Sequence, residues 1–156
     1  MGDIDAWLGR FVEEHSRSFE SALAEIAAGK KGTHWMWFVF PQVPRRGDSP
    51  TAARYAVPSL DHAVAFVKHP VVGANYATIV SEALRHLEKS SSPTKVLDLF
   101  GRPDHLKFVS SVTLMGAASR RAGIEDLARD CENALEIIRA DGMSECSMTL
   151  AFLEGS

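Results

Sequence analysis

Apolar side chains recur at three- and four-residue spacing along most of the chain, which is typical of amphipathic helices. The stripe is clearest over residues 60–68, 71–87 and 124–140. Ser49 and Ser59 stand where helix caps are expected, and Pro50 follows the first of them. The one run with high β-propensity has no partner strand elsewhere in the sequence. These features predict an all-α, single-domain fold over residues 1–156, a globule of about seven to eight helices.

The first half of the chain contains the least regular segments. Residues up to Ala27 show two helical patterns, and Ser18 stands where a cap would separate them. A short, irregular aromatic segment follows over residues 33–42, for which we favour a buried helix capped by Thr33 over a strand. The proline- and arginine-containing stretch 43–48 is predicted to be a loop.

Composition excludes several classes of protein. The 156 residues carry 17 basic and 20 acidic side chains, so a net charge of −3 gives no overall attraction to nucleic acid or to an anionic membrane. No apolar run reaches the roughly 18 residues that a membrane span needs. Cys131 and Cys146 lie too far apart for a CxxC motif and suit a reducing compartment. We therefore expect a cytoplasmic protein with neither a nucleic-acid nor a membrane partner.

Sequence motifs of the common catalytic and cofactor-binding folds are missing. The chain has no GxGxxG, GxxxxGK[ST], HExxH or GxSxG motif, and its six histidines lack the spacing of metal ligands. The sequence accordingly predicts no metal and no cofactor.

One cluster of side chains has the chemistry of a small-molecule pocket. Indoles can stack on planar groups or cations, while lysine, histidine and glutamine fix polar groups. The alternative is that the aromatic residues are core and the lysines form a solvated helix end. The candidate ligand-binding residues are Lys30, His34, Trp35, Trp37, Gln42 and Tyr55, with Lys31 in the same run.

A second polar cluster begins at Asp104. Asp104, Lys107 and Ser111 share one helical face, and a serine one turn from a lysine is similar to a Ser/Lys nucleophile pair. The alternative is a surface ion pair between Asp104 and Lys107, with the serine bonded back to its helix. His34, Asp104, Lys107 and Ser111 are therefore the candidate catalytic residues. Arg45 and Arg46 in the predicted loop could hold a phosphate or carboxylate.

Both clusters carry a resemblance to a known family. The run His34-Trp35-Met36-Trp37-Phe38-Val39-Phe40-Pro41-Gln42 and the later Pro103-Asp104, Leu106-Lys107 and Ser110-Ser111 resemble the domain of unknown function 1810 family. Some of its members carry a calpastatin-like label. The resemblance runs from Phe11 to Leu153 and implies a mainly helical, intracellular protein; it transfers no catalytic chemistry.

Two functional hypotheses follow from these clusters. In the first, they meet in a pocket for a nucleotide- or ADP-ribose-like ligand. If the protein is an enzyme, this predicts a metal-free hydrolase similar to N-glycosidases, with Asp104 or His34 as base. In the second, the protein is a non-enzymatic interaction module with the aromatic run as core and an unknown protein partner. Convergence of His34, Gln42, Asp104 and Lys107 on one cavity would favour the first.

Overall fold

The structure, a computed structural model, describes residues 2–155. Nine helices and no strand lie in this part of the chain, which confirms the all-α prediction. Six helices have eight or more residues, and three short ones bring the total above the predicted seven to eight. The helices are α1 (Gly2–Ala27), α2 (Met36–Val39), α3 (Pro50–Tyr55), α4 (Leu60–Lys68), α5 (Val72–Lys89), α6 (Lys95–Phe100), α7 (Asp104–Ala122), α8 (Glu125–Ala140) and α9 (Ser147–Glu154).

Helix α1 is continuous, so the prediction of two helices before Ala27 is wrong. Ser18 lies inside the helix, with neither glycine nor proline beside it to end the preceding turn. The buried face passes through this point without a break, from Phe11 and His15 to Phe19 and Ala22. A serine at a possible capping position therefore does not end the helix, because the buried apolar stripe continues on both sides of it.

Helix α7 forms the centre of the fold. It packs against α2, α4, α6, α8 and α9. Most of its side chains are buried on every face, including the hydroxyls of Ser110, Ser111 and Ser119. Around it, buried apolar side chains from Trp7 to Ile138 form one continuous cluster. The single core agrees with the single domain that was expected.

The aromatic segment is helical for one turn only. Helix α2 begins after Trp35, and Phe38 and Phe40 are buried on either side of the turn's end. Thr33 does not cap this helix, because its hydroxyl bonds the side chain of Glu25 instead. The helix interpretation holds, but its predicted cap is wrong.

Helices α3 and α4 start at the predicted caps. The Ser49 hydroxyl accepts a hydrogen bond from Ala52 N at 3.2 Å, and the Ser59 hydroxyl accepts one from His62 N at 3.1 Å. The stretch 43–48 before α3 is not helical, as predicted. Pro41 and Gln42, at the end of the segment for which a helix was favoured, are not helical either. None of the helices in the described chain is long and apolar enough to cross a bilayer.

Candidate functional site

The carboxylate of Glu25 fixes the connection between α1 and α2. It accepts hydrogen bonds from the backbone N–H groups of Gly32 and Thr33, at 2.7 and 2.9 Å, and from the Thr33 hydroxyl. The indole N–H of Trp35 donates to it at 2.8 Å. One side chain of α1 therefore determines where the aromatic segment begins.

Lys31 is buried in this connection and joins it to α7. Its ammonium lies 2.7 Å from Asp104 Oδ2, and only 6% of its side chain is exposed. The same ammonium donates to the Thr33 carbonyl and lies 5.0 Å from the ring centroid of Trp35. Because these partners surround it, Lys31 holds the site together and is not free to bind a ligand.

Asp104 links Lys31 to Lys107. Its Oδ1 is 3.1 Å from Lys107 Nζ, so the carboxylate lies between two ammonium groups. Burial raises the pKa of Asp104, but the hydrogen bonds and charges of the two lysines outweigh burial and bring the pKa below its ordinary value. The carboxylate thus stays charged and holds the Lys107 ammonium 3.5 Å from the ring centroid of Trp37.

Two adjoining depressions open beside this pair. The inner depression, of about 40 Å³, is lined by Lys31, His34, Trp35, Met36, Trp37, Asp104 and Lys107. The outer depression, of about 130 Å³, is lined by Trp37, Gln42, Val43, Arg45, Asp48, Ala52, Tyr55, Ala56 and Lys107. Trp37 and Lys107 line both, so the two depressions form one surface feature.

Most of the candidate site residues lie at this feature. His34, Trp35 and Asp104 line the inner depression, and Gln42 and Tyr55 line the outer one. Of the four residues whose convergence on one cavity would favour a pocket, only Lys107 lines both depressions, so they do not converge on a single cavity.

Two candidates lie elsewhere. Lys30 is exposed and lines neither depression, whereas its neighbour Lys31 is buried there. Ser111 is fully buried and its hydroxyl bonds Tyr76 Oη at 2.9 Å. Burial raises the pKa of Tyr76 well above its ordinary value, so this pair remains neutral. Ser111 lines neither depression, and its hydrogen-bond partner is the tyrosine.

Sequence reasoning missed Glu25 altogether. Glu25 is a single acidic residue on a long amphipathic helix, seven residues before its first partner, Gly32. No motif marks such a residue, because its role depends on how the chain turns after Gly29.

The two depressions have a small excess of positive charge beside an aromatic side chain. Among their lining residues three basic side chains face two carboxylates, which leaves one excess positive charge, and Trp37 supplies an aromatic surface. The outer volume is below the roughly 300 Å³ of an ordinary ligand pocket, so it can enclose one group of a ligand rather than a whole nucleotide. No group of three or more His, Cys, Asp or Glu side chains in residues 2–155 is placed to hold a metal ion.

Fold and site together describe an all-α protein whose aromatic segment, held by a Lys–Asp–Lys bridge, faces a small surface depression. The chain belongs to the family described as "Protein of unknown function (DUF1810)", whose model matches residues 5–134. The resemblance inferred from the two motif runs is thereby confirmed.

The chain is also similar to a solved structure, the conserved hypothetical protein Rv1873 from Mycobacterium tuberculosis. The two are 32% identical, with a TM-score of 0.74, and the alignment covers 92% of this chain and 94% of that one. No curated protein matches the sequence. Neither the family description nor the description of the similar structure mentions calpain inhibition.

Proposed function

We propose that the protein binds a small ligand carrying a planar group and an anionic group, of nucleotide or ADP-ribose type, at the outer depression. One observation carries the proposal: Trp37 and Gln42 of the aromatic segment, Tyr55 of α3 and Lys107 of α7 line the same depression. An indole and a phenol beside an amide and an ammonium can contact a planar group and an anionic group, of which the depression encloses one at a time.

The bridge from Lys31 to Lys107 supports this proposal. Asp104 holds Lys107 over the indole, so the cation is placed before a ligand arrives. Preorganisation of this kind reduces the entropy that binding costs. A purely structural ion pair would not require the ammonium to stay at the edge of a depression.

If the ligand is hydrolysed, His34 is the better of the two candidate bases. Asp104 is a weak base because two lysines lower its pKa. His34 is exposed and lines the inner depression, where it can meet the reacting part of a ligand. A metal-free N-glycosidase-like hydrolase is therefore the activity to assay first, with His34→Gln as the diagnostic variant.

Binding is tested by thermal shift against nucleotides, NAD and ADP-ribose. A ligand at about 100 times its Kd should stabilise the protein by about 2.7 kcal/mol. We expect Trp37→Leu and Lys107→Met, which keep apolar bulk, to abolish the shift. Lys89→Met, at an exposed position on α5, is the matched control and should retain it. A hit that survives in both site variants would place the ligand elsewhere, and a flat screen would contradict the proposal.

The alternative, an interaction module, is favoured by a different observation. Trp35, Phe38 and Phe40 are almost fully buried, so much of the aromatic run serves the core. The exposed Arg45 and Arg46 would then form the contact with an acidic partner. A partner that binds the wild type and Trp37→Leu equally, but not Arg45→Gln/Arg46→Gln, would support this function in place of ligand binding.

A further inference from the structure

Arg45 is the arginine of the outer depression, and its guanidinium has only a weak partner. Arg45 Nη2 lies 3.6 Å from Cys146 Sγ, and none of the carboxylates in the described chain forms an ion pair with it. Arg17, Arg85, Arg129 and Arg139 pair with carboxylates, and of the arginines in the described chain that do not, only Arg45 lines the outer depression. Sulfur is a poor hydrogen-bond acceptor, so the interaction with Cys146 is easily exchanged for a better one.

The backbone around Arg45 is nevertheless well fixed. Arg45 N donates to Asp48 Oδ2 at 2.9 Å, and Asp48 N donates to Arg45 O at 3.2 Å. The carboxylate of Asp48, the one acidic side chain that lines the outer depression, therefore accepts a hydrogen bond from the backbone of this turn. An exposed side chain on a fixed turn can move between two partners while its backbone stays in place.

We propose that Arg45, together with Lys107, binds an oxyanion group of the ligand, and that Cys146 is the partner of Arg45 only while the depression is empty. This inference rests on the proposed function and names the chemistry of the group that enters the depression. A guanidinium offers paired N–H donors to the oxygens of a phosphate or carboxylate, which bind it more strongly than a thiol does. Lys107 adds a second cation on the same depression.

Cys146 supplies a direct readout of where Arg45 lies. Burial raises the pKa of Cys146, but hydrogen bonds from Thr149 and Ser110 and the positive charge of Arg45 outweigh burial and bring the pKa below its ordinary value. If an oxyanion draws Arg45 away, this pKa rises and less thiolate is present near neutral pH. Cys131 does not interfere, because it is buried and its pKa is raised to about 12.

The experiment is alkylation of the full chain by iodoacetamide, followed at Cys146 by mass spectrometry. The thiolate sulfur attacks the methylene carbon, a C–S bond forms, and iodide leaves with the electrons of the C–I bond. Inorganic phosphate is the probe, and chloride at equal ionic strength is its control. We expect phosphate to slow the labelling of Cys146 about two- to fivefold. Acetate in a parallel series tells a carboxylate preference from a phosphate preference.

Two arginine variants test the assignment to Arg45. Arg45→Gln should be labelled as slowly as the phosphate-treated wild type and should not respond to phosphate. Arg46→Gln, at the neighbouring exposed position, is the matched control and should behave as the wild type. A pH–rate profile separates charge from obstruction, because loss of charge shifts the midpoint whereas obstruction lowers the plateau.

The outcomes distinguish this inference from the proposed function. If phosphate leaves labelling unchanged in the wild type, or slows it equally in Arg45→Gln, the role of Arg45 is overturned whether or not nucleotides bind. If phosphate acts through Arg45 but no planar ligand gives a thermal shift, the oxyanion subsite stands and the proposed function fails.

Discussion

At Glu25 a single carboxylate accepts hydrogen bonds from three residues that follow α1. Burial raises the pKa of Glu25, but these hydrogen bonds outweigh burial and bring it to about 2, below its ordinary 4.5. Between these values the unfolded chain binds more protons, so the stabilisation is present above pH 4.5 and is lost as the pH falls toward 2.

We expect Glu25→Gln to lower the free energy of unfolding at neutral pH by about 1–3 kcal/mol, because donors to the carboxylate lose their charged acceptor. The variant should also lose the part of the acid dependence that Glu25 supplies. Urea unfolding measured across this pH range checks both effects. Glu20→Gln, an exposed position on the same helix, is the control. An unchanged acid dependence in Glu25→Gln would contradict the assignment.

His15 is buried in its neutral form. Nε2 donates to the Phe38 carbonyl at 2.7 Å, and Nδ1 accepts from the Asn75 amide at 3.1 Å, so neither nitrogen has room for a further proton. Burial lowers the pKa of His15 from 6.5, and the charge of His69 adds to this, while the hydrogen bond to Phe38 opposes it. The unfolded chain therefore takes up a proton first as the pH falls, and stability that is full above pH 6.5 declines below it.

For this reason the stability difference between about pH 7.5 and about pH 5.5 should be smaller in His15→Gln than in the wild type. Urea unfolding at the two pH values measures it. His34→Gln, at an exposed position after α1, removes a histidine without removing this buried one. An equal difference in stability between the two pH values in His15→Gln and the wild type would show that His15 does not contribute to the pH dependence of stability.

At the scale of elements, Gly73 permits the close crossing of α4 and α5. A Cβ at this position would lie 2.3 Å from the Val67 carbonyl oxygen and 2.9 Å from that of Phe66. Both are backbone atoms, so the helices would have to move apart. We expect Gly73→Ala to destabilise the protein by about 1–3 kcal/mol or more.

The matched control is Gly9→Ala in α1, where an added Cβ meets nothing within 4 Å. There the alanine should stabilise the protein by about 0.5–1 kcal/mol, because helical glycine carries an entropic cost. Opposite shifts of Tm in the two variants are the expected result. A neutral Gly73→Ala would mean that the two helices separate easily.

Elements were predictable where local chemistry decides them. Ser49 and Ser59 cap α3 and α4 because each cap needs only its own next three residues. Ser18 does not cap a helix because the apolar stripe of α1 continues through it. Thr33 does not cap α2 because its hydroxyl donates a hydrogen bond to Glu25, eight residues earlier. Close helix crossings such as that at Gly73 leave no periodic signal in the sequence.

For the whole molecule, the residue types of the site were predictable but their exact neighbours were not. Trp37, Gln42 and Lys107 were identified from two motif runs, and the fold brings them to one depression. Lys31, not Lys30, is buried there, because the turn after α1 directs adjacent side chains to opposite sides. Ser111 shares a helical face with Lys107, but it is fully buried, and its hydroxyl is bonded to Tyr76 of α5. Such outcomes depend on tertiary packing that spacing does not encode.

One prediction for the whole molecule concerns which part of the chain forms the hydrophobic core and which part only packs over it. Every buried apolar side chain of the described core lies between Trp7 and Ile138, and Thr149 is the one buried residue of α9. Helix α9 rests on α7 through the 2.8 Å hydrogen bond between the hydroxyls of Thr149 and Ser110, and its partly buried Phe152 and Leu153 pack against the core. A chain ending at Gly142 should therefore keep a cooperative thermal transition at a Tm lower by several degrees, roughly the effect of 1–2 kcal/mol in a chain of this size.

A chain ending at Gly123 provides the contrast, because it also loses α8, including Leu127, Leu135 and Ile138. Each such side chain contributes about 1.5–3 kcal/mol by burial, and their sum is comparable with the roughly 5–15 kcal/mol that stabilises a whole domain. This chain should show no cooperative unfolding by circular dichroism in urea or on heating. If the chain ending at Gly142 also fails to unfold cooperatively, α9 contributes to the stability of the core far beyond what its burial accounts for, and the covering role assigned to it is wrong.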